Sequence, residues 1–159
     1  MKATTPLIEQ FKDAFEGDPW FGRNAKALFA EINEANAFEK PNGQHSLLEL
    51  VWHMVNWREF AITRVQPDAG KDLHYFETND WRQLDHSDTS LLQKGLDRLA
   101  QTQEELLDIL ESFDDNKLNE SVPERQYSFR KLFTGILQHD IYHLGQIAYL
   151  LKVLINYKF

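Results

Sequence analysis

No cysteine occurs among the 159 residues, which excludes a disulfide framework, a thiolate metal site and a cysteine nucleophile. Any metal bound here must be held by histidine, aspartate or glutamate. The same absence suits a reducing cytoplasm, the expected location. Basic charge is also scarce. The chain carries 17 Lys and Arg against 25 Asp and Glu, a formal net charge of −8, and its cations are scattered. A phosphate backbone would find no basic face, so nucleic acid is not expected as a partner. No run approaches the roughly 18 apolar residues of a membrane span, and the opening MKATTPLIEQFKDAFEGDPW lacks an apolar signal core. A soluble chain with no membrane partner is therefore expected. What is present is 42% hydrophobic content over a length that can bury a sizeable core, the profile of a single domain over 1–159.

The apolar residues recur mostly at helical spacing. Leu7, Ile8, Phe11, Ala14 and Phe15 follow Pro6, and proline is tolerated in a first turn because its missing N–H has no partner there. Gly17-Asp18-Pro19 predicts a kink, after which Trp20, Phe21, Ala25, Leu28, Phe29 and Ile32 continue a first long helix to about Asn36. Ser46 and Glu49 form a Ser-x-x-Glu capping box ahead of a second helix. Its inward stripe is Leu50, His53, Met54, Trp57, Phe60, Ala61 and Arg64, with Trp52 and Arg58 on other faces as packing and solvated charge. From Gln66 to Asp88, including the turn Pro67-Asp68-Ala69-Gly70, no period is sustained, and a long crossover is expected. Thr89-Ser90 can cap a third helix, and Ser128 a fourth that runs from Phe129 to Tyr157. Four amphipathic helices with almost no strand signal give an all-α chain, a four-helix bundle.

Within the last helix, His139 and His143 are four apart, so their imidazoles stack on one face. Leu132, Ile136, Ile147 and Leu150 continue that face toward the core. His53 on the second helix also falls among apolar neighbours. Histidines of this kind can be core residues satisfied by carbonyls or hydroxyls, but three of them on two helices shift the balance toward a metal site. If they bind one ion each must be neutral, so affinity should fall as pH drops through the ordinary histidine range near about 6.5 and below. His74 and His86 lie in the crossover and read as surface or loop residues. His139-Asp140-x-x-His143 imitates the zincin His-Glu-x-x-His, yet no His or Glu follows to supply the downstream ligand, which argues against protease chemistry. With no second His-Asp pair and no glycine-rich phosphate loop, phosphohydrolase chemistry is disfavoured too.

Together, Leu50-Val51-Trp52-His53-Met54, the run His139-Asp140-Ile141-Tyr142-His143-Leu144-Gly145-Gln146-Ile147 and the early Gly17-Asp18-Pro19-Trp20 resemble the DinB-like, or YfiT-like, metal-binding family over nearly the whole chain. The resemblance implies an up-down-down-up bundle with its crossover between helices two and three, frequently dimeric. Carried over by position, it implies His53, His139 and His143 as ligands of a divalent metal. Relatives often carry Glu where this chain has Asp140. Characterised members include metal-dependent transferases acting on low-molecular-weight thiols, and a maleylpyruvate isomerase.

Three imidazoles suit Zn or Ni first, with Fe and Co also compatible. Gln146, Tyr142, Trp57 and Asp140 are the candidates for orienting a substrate or the ligands. Asp140 should point away from the metal, and Gly145 should permit close approach of another helix. The expected function is a metal-dependent transferase or hydrolase that activates water or a small thiol against a small electrophile. The alternatives are a non-catalytic, stress-related metal- or ligand-binding homodimer and a structural bundle with core histidines. The abundance of aromatics, 20 of 159, adds to the expectation of a homodimer.

Overall fold

Four of the six helices described begin at a side-chain cap, at Asn24, Ser46, Asp72 and Ser128. The computed structural model describes residues 2–68 and 70–156. Among them the chain is all-α, with six α-helices and no strand beyond one bridge between Ser121 and Ser128. The first, α1 (Thr5–Glu16), has Pro6 in its first turn. Next, α2 (Ala25–Phe29) starts at Asn24, whose side chain accepts from the Ala27 N–H. In α3 (Leu47–Val65) the capping box forms reciprocally: the Ser46 hydroxyl accepts from the Glu49 N–H at 3.2 Å and the Glu49 carboxylate from the Ser46 N–H at 2.9 Å. Short α4 (Leu73–Thr78) interrupts the crossover. Then come α5 (Leu91–Ser112) and α6 (Phe129–Asn156), the latter capped by Ser128, which accepts from the Lys131 N–H at 3.3 Å.

Several expectations need correction. The first long helix does not resume to Asn36: beyond Gly17 only the five residues of α2 are helical, and Trp20 stands wholly in solvent. At α5 the Ser90 hydroxyl does not cap the helix; it bonds Asp88 instead. Arg58 is no solvated charge, being only 3% exposed. A side chain at Gly145 would meet nothing within 4 Å, so among the described residues no helix packs closely on it. Ala69 of the expected turn and the expected helix end at Tyr157 lie outside the described residues.

The long helices pack pairwise, α3 against α5 and α6, and α1 against α5 and α6. Their apolar faces form two clusters. One gathers Phe11, Phe60, Leu106, Leu110, Phe133 and Ile136; the other gathers Leu28, Leu47, Met54, Leu99, Leu144 and Ile147. Between them lies a buried polar layer: Asn56 and Arg58 on α3, Thr102 and Gln103 on α5, Asp140 and His143 on α6. Each residue finds at least one partner, because an unpaired polar group in such a place costs about 1–3 kcal/mol, although Asn56 Oδ1, Gln103 Oε1 and Asp140 Oδ1 are left without one. The Asn56 amide donates to the Phe76 carbonyl, Gln103 to the Phe11 carbonyl, and the Thr102 hydroxyl to the Leu99 carbonyl. Arg58 donates to Asp140 Oδ2 through Nε at 3.0 Å and through Nη2 at 2.8 Å.

Beyond the polar layer, buried Arg64 ties two loops together by donating to the Lys71 carbonyl and pairing with Glu124, which also accepts from the Leu73 N–H. Glu124 adopts φ 62, a left-handed conformation sustained here by those bonds.

Removing one member of the Arg58–Asp140 pair leaves the other charge buried alone. Asp140→Ala is expected to lower unfolding free energy by about 3–5 kcal/mol in urea titrations, and the double change Arg58→Met with Asp140→Leu to recover most of it. An Asp140→Ala loss under about 1 kcal/mol would show that the pair is solvated.

Candidate metal centre

The spacing of α6 brings His139 and His143 onto one face, and α3 lays His53 across from them. Their Nε2 atoms converge: His139 Nε2 lies 2.9 Å from His53 Nε2 and 3.0 Å from His143 Nε2. All three ligating atoms fall within 4.8 Å of one another. His53 and His143 are buried, while His139 is half-buried and reaches a cavity of about 480 Å3 that Trp57 also lines.

The outer nitrogens decide which way the lone pairs point. His53 Nδ1 lies 3.1 Å from the Asp80 carbonyl and 2.9 Å from Asp80 Oδ1, both of them acceptors. His143 Nδ1 lies 2.5 Å from Gln146 Oε1, also an acceptor. Both rings therefore carry their proton on Nδ1 and turn an Nε2 lone pair inward. His139 can offer one proton at most between those two lone pairs, so hydrogen bonding alone leaves the cluster short. A cation at the meeting point satisfies all three nitrogens together, and donors sharing an ion at about 2.0–2.1 Å lie roughly 3 Å apart. The residues present fit a divalent metal.

Charge reinforces this. Burial, with the neighbouring His143 and His53, lowers the His139 pKa to about 3. Burial lowers His143 to about 4 against the opposing bond from Gln146. His53 is lowered as well, again by burial, with Asp80 resisting. The window in which protons compete for these nitrogens therefore lies below the ordinary range near about 6.5 expected from sequence.

Of the four neighbours named from sequence, three lie at the cluster. Gln146 anchors His143. The Trp57 indole donates to Asp80 Oδ1 at 2.6 Å and so holds the carboxylate that holds His53. Tyr142 is 65% exposed, its ring centroid 5.0 Å from that of His143. Asp140 turns away, as expected, but into the core with Arg58; burial pushes its carboxyl above the usual range while Arg58 opposes the rise. His74 and His86 are both exposed, and His86 rests on Phe38.

Sequence reasoning missed Asp80, Trp81 and His45. The Trp81 ring stacks on His53 at 3.9 Å and 6°, and His45 stacks on Trp81 at 3.6 Å and 7°. A metal-binding histidine ordinarily needs an acceptor on its second nitrogen. That rule calls for an acid in the crossover but cannot choose Asp80 over Asp72, Glu77, Asp85 or Asp88.

A family model described as the DinB superfamily matches residues 21–147. No curated protein and no solved structure matches the chain.

Two outcomes are expected. Asp80→Asn keeps a side-chain acceptor but loses the charge, and Asp80→Ala leaves His53 only the backbone carbonyl; each should weaken metal binding, by about 10–100-fold for Ala, as read by competition with a chromophoric chelator. In the metal-free protein the unfolded chain takes up protons below about pH 6.5 while the folded histidines resist until near 4 and 3. Stability is therefore full above that window and falls as pH drops through it. The urea midpoint of stripped protein should decline from pH 7 to 4.5, and His139→Leu should flatten that decline.

Proposed function

Because the chain belongs to the DinB superfamily and turns three imidazole nitrogens to one point, we propose that it binds a divalent metal through His53, His139 and His143. The observation that carries this reading is the acceptor set against each outer nitrogen, Asp80 at His53 Nδ1 and Gln146 at His143 Nδ1, which leaves the Nε2 atoms free to face one point. Zinc or nickel is the proposed ion, with iron or cobalt next, since three imidazoles discriminate weakly among them. Bound, such an ion supplies Lewis acidity, which makes a weak nucleophile such as water or a small thiol competent near neutral pH.

The chain's own residues supply the rest. Asp80, Trp57 and Trp81 hold the His53 ring in place from its edge and one face. Gln146 sets the tautomer of His143 and, with Tyr142, stands near the outer side of the cluster. The cavity at His139 admits a small molecule beside the histidines. The reaction class proposed is transfer or hydrolysis on a small electrophile, with a low-molecular-weight thiol or water as nucleophile. A non-catalytic metal-binding module has the same histidine geometry and differs only in turnover.

This reading includes one domain over 1–159, the up-down-down-up order of the long helices, a cytoplasmic setting and a homodimer. No helix among the described residues is long and apolar enough to cross a membrane. The exposed aromatics Trp20, Phe21, Tyr142 and Tyr149, with Gly145 open beside the last two, support pairing with a second copy.

Untagged protein loaded with zinc or nickel at neutral pH and desalted should retain about one equivalent per chain by elemental analysis. Alanine at His53, His139 or His143 should reduce that well below stoichiometry, while alanine at exposed His74 or His86 should leave it unchanged. Wild-type retention far under one equivalent would sink the metal assignment. A panel of thiols with electrophilic acceptors then separates the enzyme from the binding module by metal-dependent turnover.

A further inference from the structure

The cavity beside His139 has a polarity that metal binding does not require. Its volume of about 480 Å3 falls in the range of small-molecule sites, roughly 300–1,000 Å3. Trp57, Phe60, Leu132 and Ile136 give it apolar walls, and Arg130 and Lys131 line it from the first turn of α6. No aspartate or glutamate lines it, although the chain carries a formal net charge of −8. Among the described residues neither Arg130 nor Lys131 forms an ion pair.

The two ends of the cavity therefore differ. Lys131 and His139 are separated by eight residues of α6, about 12 Å along the helix axis at about 1.5 Å per residue. Gly135 lies midway, lines the cavity, and has nothing within 4 Å of the position a Cβ would take. Glycine inside a helix costs about 1 kcal/mol relative to alanine. No contact within the chain demands it here, and its effect is to keep the middle of the cavity open.

We propose that this cavity binds an amphipathic carboxylic acid, with its carboxylate at Arg130 and Lys131 and its aliphatic or aryl body along Trp57 and Ile136. The far end of that body is presented to His139. The role of such a molecule as the electrophilic substrate rests on the metal-centre reading; its binding does not, since every group invoked here lies outside the three histidines except the neighbour His139. An acid of this kind finds cations at one end and no competing carboxylate, whereas an amine of equal length finds repulsion.

The test is calorimetric titration of the full-length chain, stripped of metal with a chelator, with decanoate, whose extended chain matches the Lys131–His139 span. Decanoate should bind saturably and decylamine about tenfold or more weaker. Arg130→Gln with Lys131→Gln should cost decanoate about tenfold and leave decanol unaffected, the expected worth of a charge-assisted contact. Gly135→Leu should abolish binding of decanoate and decanol while the melting temperature holds or rises, which separates a filled cavity from a misfolded chain. The proposal is overturned by equal binding of decanoate and decylamine, by undiminished binding in Gly135→Leu, or by absence of decanoate binding. It is overturned equally if decanoate binds only metal-loaded protein and ignores the Arg130/Lys131 change, because the carboxylate would then sit at the histidines. Failure of the metal-centre reading would appear separately, as lost metal stoichiometry with decanoate binding intact.

Discussion

Three imidazoles packed against one another form an arrangement that hydrogen bonding alone cannot satisfy, and much of the surrounding structure serves to hold it. One proton cannot serve three inward nitrogens, so the cluster persists only if the helices are fixed by other means. The two apolar clusters above and below supply that fixing, with Phe60 and Phe133 on one side and Met54 and Ile147 on the other. Burial of such side chains contributes about 1.5–3 kcal/mol each. That is enough to force polar groups between them into close quarters. The depressed His139 and His143 pKa values record the same constraint in electrostatic terms.

The polar layer has two sides with different chemistry. On one, Arg58 and Asp140 close on each other, and neither is accessible. On the other, His139 of the histidine cluster faces a cavity. His139 and Asp140 are adjacent in sequence, yet the roughly 100° between neighbouring helix positions sends one to the cavity and the other to the core. Arg58 also disfavours a proton on His139. The buried ion pair thus ties α6 to α3, and its guanidinium biases the nearest imidazole toward the neutral form that a metal requires.

The helical stripes, the Ser46–Glu49 box and the Ser128 cap were legible in the sequence because they are local: each depends on residues within one or two turns. The convergence of His53 with His139 and His143 was legible in outline, since each sits on the apolar face of a long helix. Arg58 was misread because a charge on a helix is ordinarily solvated, and only the partner 82 positions away makes its burial tolerable. Trp20 was misread in the opposite direction, an aromatic at helical spacing that the break at Gly17-Asp18-Pro19 leaves outside the core. Asp80 and Trp81 had no periodic signal at all, because irregular backbone is placed by tertiary contacts rather than by pattern.

Those tertiary contacts explain why the crossover is not slack. Phe76 on α4 is fully buried, packs edge-to-face on Phe60 at 5.5 Å, and gives its carbonyl to the Asn56 amide. One turn further on, Asp80 meets both His53 and Trp57. The anchor and the ligand clamp are thus four residues apart, and both grip α3. A crossover fixed at Phe76 brings Asp80 to His53 with little freedom left to lose, so the outer support of the site is arranged before any ion arrives. That is preorganisation in the thermodynamic sense: ordering is supplied by the core rather than drawn from binding energy. It also makes loosening of Phe76, far from any ligand atom, a route by which the site could be weakened without touching a histidine.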